Sequence, residues 1–119
     1  MPTIQEHEQA AADAEASRDA ATNDDDKVRF DRALEHHATA ARLMRIAEKH
    51  ELAVGDSRRT AAMFNGRGML ADAAAHRELA EKSAAAARFC VERAEARSEA
   101  GHAVMRPPEP ESEQDEAEG

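Results

Sequence analysis

The chain has no tryptophan and no tyrosine, only three phenylalanines, and a single cysteine among its 119 residues. Without indole or phenol rings there is little bulky surface with which to wall a deep substrate pocket. Near Arg58, Arg59 and Arg67 the only aromatic residue in sequence that could stack on a nucleic-acid base is Phe64. The lone Cys90 excludes an internal disulfide and suits a reducing compartment. No apolar run approaches the roughly 18 residues that a spanning helix requires. The opening Met1-Pro2-Thr3-Ile4-Gln5-Glu6 carries no secretory core. These absences predict a cytoplasmic protein with no membrane partner and no cofactor. Leu, Ile, Val and Phe together fill only 14 positions, a share at which disorder enters the comparison.

Against disorder stands alanine, which fills 29 positions. Alanine is the best helix former, and the Arg, Glu, Leu and Met around it follow closely. Each helix still needs a neighbour to bury its stripe. Alanine-lined stripes let helix axes approach more closely than the usual ~8–10 Å. The composition therefore predicts an all-α fold, either an antiparallel three-helix bundle or an elongated helical hairpin with an added N-terminal helix.

The net charge of −9 is unevenly spread. Residues 1–26 hold eight acids and one base, and residues 107–119 hold six acids and no base. The stretch 27–106 has 15 basic and 11 acidic residues. This acid–base–acid layout disfavours a DNA mimic, and the middle is too mixed in sign to specify nucleic acid.

Thr3 and Glu6 have capping-box spacing and predict a helix over about 3–21, with Ile4, His7, Ala11, Ala14 and Ala21 on one stripe. The run Thr22-Asn23-Asp24-Asp25-Asp26 breaks it. That run fails as a calcium loop, since Val28 and Arg29 stand where a ligand and a glycine are required. A second helix is predicted over about 26–54, striped by Phe30, Ala33, Leu34, His37, Ala41, Met44 and Ala47, with Gly55 as its C-terminal stop. The pair Gly66 and Gly68 predicts a kink or turn that sets off a short helix over 57–65 from a last helix over 68–100. That last helix carries Met69, Ala73, His76, Ala80, Ser83, Ala87, Cys90 and Ala94 on its stripe and ends at Gly101. One helical domain, 3–101, is thus expected between disordered ends, residues 1–2 and the acidic tail 102–119.

Ala33-Leu34-Glu35-His36 and Ala73-Ala74-Ala75-His76 echo one another 40 residues apart. Residues 32–41 resemble the second helix of a tetratricopeptide repeat. The chain lacks that family's Trp, Leu, Gly and closing Pro positions, and two copies fall short of the three that such arrays need. The echo is read as shared helix chemistry.

Histidines carry the sharpest chemical lead, because His7, His37 and His76 each sit on an apolar stripe. With a turn at Gly55, His36 and His37 would face residues near His76, with Glu35 alongside, a donor set suited to zinc or iron. The competing reading has each imidazole filling a gap between alanines, or titrating near neutrality. Arg58, Arg59 and Arg67 form a basic cluster able to grip phosphate or an acidic partner. Met63, Phe64, Met69 and Leu70 form an adaptable apolar seam beside it. Cys90 reads as a buried, inert thiol. Taken together, the sequence predicts a non-enzymatic helical interaction module, an adaptor or regulator that binds a protein partner through Met63, Phe64, Met69, Leu70, Arg58, Arg59 and Arg67 and self-associates, with a homodimer as one form. Two alternatives stand beside it. One is a metal- or pH-responsive protein using His37, His76, His36 and Glu35, and the other is weak nucleic-acid binding through the arginines.

Overall fold

The computed structural model describes residues 2–106, which form three helices and no strand. They are α1 (Ile4–Ala20), α2 (Asp24–Gly66) and α3 (Leu70–Met105). The all-α expectation holds. The acidic tail 107–119 lies outside the described residues.

Thr3 caps α1, its Oγ1 accepting from the Glu6 N–H at 3.2 Å. Asn23 rather than Asp26 caps α2, its Oδ1 accepting from the Asp26 N–H at 2.8 Å. Asp24, Asp25 and Asp26 then occupy the first turn, where their charge suits the positive end of the helix dipole.

The expected stop at Gly55 does not occur. α2 runs straight through it and absorbs the segment predicted as a separate helix over 57–65. A single interior glycine costs about 1 kcal/mol against alanine, which packing along a partner helix outweighs. The turn comes at residues 67–69. Gly68 adopts φ +74°, and the Met69 N–H reaches back to the Phe64 carbonyl at 2.9 Å. This is a glycine-dependent helix terminus in which the chain reverses without stranding its last carbonyls. At the far end, Gly101 does not terminate α3 either, which continues to Met105. Residues 102–105 are therefore helix, not tail.

α2 and α3 lie side by side and antiparallel, joined by that short turn. Their register is set by the stacked pair Phe64 and His76 and by Arg97, whose Nη2 donates to Thr39 Oγ1 at 3.3 Å. The buried residues of α2 facing this seam are Ala33, Ala40, Ala47, Val54 and Ala61, and those of α3 are Ala73, Ala80, Ala87, Ala94 and Gly101. Both sets recur every seven residues. A seven-residue repeat keeps facing its partner only if the two helices coil left-handedly around each other. The 40-residue echo of the sequence is this shared repeat, since Ala33 and Ala73 begin the two stripes.

Almost no bulky residue is buried. Val54 is the largest aliphatic side chain in the core, and the largest fully buried side chains are His7 and His37. Leu34, Leu43, Met44 and Phe64 are only half-buried along the flanks. Each alanine removes little area from water, so cohesion is the sum of many shallow contacts.

α1 packs against α2, burying His7 and Ala14. Two ion pairs bridge the helices, Arg45 to Glu8 at 2.7 Å and Arg18 to Asp31 at 2.9 Å. Both are solvent-exposed and contribute at most about 1 kcal/mol each. With 17 residues against 43, α1 spans about 26 Å beside the ~64 Å of α2. It covers only the half of the hairpin remote from the turn. No described helix is long and apolar enough to cross a membrane.

Candidate functional site

Placing the turn at residues 67–69 instead of Gly55 changes which side chains meet. His76 stacks on Phe64, ring centroids 5.4 Å apart, near the tip of the hairpin. His37 lies 27 residues down α2 from Phe64, roughly 40 Å along the axis. The set His37, His76, His36 and Glu35 is therefore not brought together. Among the described residues, no three His, Cys, Asp or Glu side chains are gathered so as to hold a metal ion.

Another histidine junction exists instead. His7 from α1 and His37 from α2 are almost wholly buried, and the His102 ring of α3 meets His37 edge-on at 4.6 Å. Gly101 makes the room, because a Cβ there would stand 2.7 Å from His37 Nε2. Neither His7 nitrogen has a hydrogen-bond partner, nor does His37 Nδ1. Burial pushes the His37 imidazole down to about 4, with the neighbouring His102, His7 and His36 adding to the effect. Burial also lowers His7, opposed by the carboxylate of Glu6 and reinforced by His102. Both imidazoles are thus held neutral at physiological pH. His102 was not among the residues singled out in the sequence, because helix was expected to end one residue before it.

At the other end, Met63, Met69 and Leu70 are exposed around the turn, while Phe64 is half-buried under His76. The three arginines do not converge on one point. Arg59 is held by Asp56 one turn back, Arg67 caps α2 at the turn, and Arg58 projects into a groove between α2 and α3. Cys90 is free and buried in the seam.

That groove is the main concave feature of the uncovered half. Glu51, Val54, Gly55 and Arg58 of α2 and Ala84, Ala87, Arg88 and Val91 of α3 line an open trough of about 610 Å³. It continues toward the turn between Arg58, Ala61 and Ala62 on one side and Arg77, Ala80 and Glu81 on the other. Residues 51 and 55 repeat, two heptads on, the positions of His37 and Ala41, both buried on the half of α2 that α1 covers. On its α2 side the trough prolongs the face that α1 covers, and its other wall is α3, against which α1 scarcely packs. It has no cluster of ionisable groups converging on a point, only a shallow floor of small residues rimmed by single charges.

Comparison with known protein families, with curated proteins and with solved structures finds no match to this chain.

Proposed function

We propose that this chain is a non-enzymatic helical interaction module, an elongated hairpin braced at one end by α1, which self-associates through the half that α1 leaves bare. The observation that carries this reading is the placement of its bulky apolar residues. The seam is closed by alanines, and Met63, Met69, Leu70, Leu79 and Phe89 stand at 43–63% exposed on that bare half. Apolar side chains left exposed in this number, beside a shallow trough whose own lining is small and charged residues, fit a protein surface better than a small substrate.

Sedimentation of the purified chain over a hundredfold range of concentration tests the proposal. A concentration-dependent rise from monomer to dimer is expected. A strict monomer throughout would overturn the self-association.

A second reading draws on the buried His7 and His37, which tie α1 to the hairpin only while neutral. In that reading acid loosens the brace and enlarges the bare track.

A further inference from the structure

We infer that the occupant of the bare trough is the same trough of a second copy, packed face to face about a two-fold axis at the level of Gly55 and Ala84. The inference rests on the self-association proposed above and specifies its surface and symmetry.

The charges on the rim carry the argument. On α3 they read Arg77, Glu81, Arg88, Glu92, and on α2 they read Glu51, Arg58. Turning a copy end over end about the stated level sets Arg77 against Glu92 of the second copy, Glu81 against Arg88, and Glu51 against Arg58. Every rim charge meets its opposite. The two helices agree on one axis: the midpoint of 51 and 58 on α2 lies level with the midpoint of 81 and 88 on α3 in the register that Phe64–His76 and Thr39–Arg97 define. None of these six side chains forms a salt bridge among the described residues. An isologous contact requires this self-complementarity, and a heterologous one does not.

Gly55 supplies an independent observation. It lies inside a helix, where glycine weakens the backbone, and it serves no turn. A Cβ there would meet only the flexible Arg59 guanidinium, at an ordinary 3.4 Å. Gly101 makes room for His37 and Gly68 makes the turn, whereas at Gly55 the near neighbour is the flexible end of exposed Arg59, which can swing aside. At a two-fold axis it allows α2 of each copy to approach the other closely, as small residues do at tightly packed helix crossings.

The uncovered stretch, about 28 Å long and two helices wide, gives roughly 550 Å² per copy, below the ~800 Å² of a standard interface. An interface of this size belongs to the weak, transient class. In the dimer the turn of each copy, with Met63, Met69 and Leu70, reaches the start of the other copy's α1.

Charge reversal tests the arrangement on the full chain. One variant carries E51R, E81R and E92R, and the other carries R58E, R77E and R88E. Each alone should sediment as a folded monomer at concentrations where the unaltered chain dimerises, and an equimolar mixture should restore a one-to-one dimer. Gly55→Leu should also be monomeric while melting no lower than the unaltered monomer, which separates lost contact from lost folding. If both charge variants dimerise as well as the unaltered chain, the trough is not the interface, although self-association stands. If only Met63, Met69 and Leu70 to Ser abolishes the dimer, the contact is at the tip and the inference falls. If the unaltered chain never dimerises, both the inference and the proposed function fall.

Discussion

Acid should loosen this protein through one imidazole, and His37→Leu isolates the effect. In the folded chain His37 is held down to about 4, chiefly by burial and then by His102, His7 and His36. In the unfolded chain it titrates near 6.5. A base whose folded value is depressed binds its proton more readily when unfolded. Its contribution is therefore fully present above pH 6.5 and drains away as pH falls toward 4. Each pH unit in that window is worth about 1.4 kcal/mol, so the drop from pH 7 to pH 4.5 costs about 2–3 kcal/mol from His37 alone. The titratable groups that act on His37 or His7 are His7 and Glu6 from α1, His102 from α3 and His36 on α2 itself, with Glu99 and Arg106 of α3 lying beside His102. They are common to both proteins and cancel to first order in the difference. Leucine fills a similar volume and removes the unpartnered Nδ1, so the variant should be at least as stable as the parent at pH 7. Urea unfolding followed by far-ultraviolet circular dichroism, at half-unit steps from pH 7 to pH 4, gives both curves. Parallel curves, with the parent losing no more than the variant, would refute the reasoning.

Gly101→Ala should lower stability by about 1–3 kcal/mol despite alanine's better helix propensity, because its Cβ would stand 2.7 Å from His37 Nε2. Thermal melts of the single variant and of its combination with His37→Ala check this, since the second change should recover most of the loss. Ala40→Leu, at a fully buried seam position, should cost at least about 2 kcal/mol by forcing the helices apart, whereas the same change at exposed Ala85 should be nearly neutral. Chemical denaturation distinguishes the two. Gly68→Ala should cost about 1–2 kcal/mol, since φ +74° places a Cβ against the following carbonyl oxygen. Equal melting temperatures for that variant and the parent would contradict the turn geometry.

Much of the helical content could be read before the fold was known. The Thr3 cap, the break at 22–23 and the stripe Ala73, Ala80, Ala87, Cys90, Ala94 are all present as described. The misplaced turn came from weighing Gly55 against Gly66 and Gly68 by local termination chemistry alone. The periodicity held the answer. Ala47, Val54 and Ala61 carry the stripe of α2 through Gly55 without a change of phase. After Ala61 the next position in phase is Gly68, and the stripe restarts out of phase at Ala73. A helix that ends loses its phase, and one that merely contains a glycine does not. The candidate site depended on that same turn. With the reversal twelve residues too early, His37 was expected opposite Ala73, and the junction with His7 and His102 could not be foreseen. The trough was hidden for another reason. Glu51, Arg58, Glu81 and Arg88 look like ordinary solvated charges until both helices are aligned.

A stripe of alanines repeating every seven residues is nearly indifferent to sliding. Shift α3 along α2 by one heptad and methyl again meets methyl, with little change in contact. What selects the native alignment is therefore not the bulk of the seam but a few irregular features along it. The notch at Gly101 admits only the His37 ring, Phe64 needs His76 for its stack, and the three-residue turn leaves no slack. Lengthening that turn would free the two rods to exchange alignments, giving a molecule that keeps its helicity and loses its single ground state.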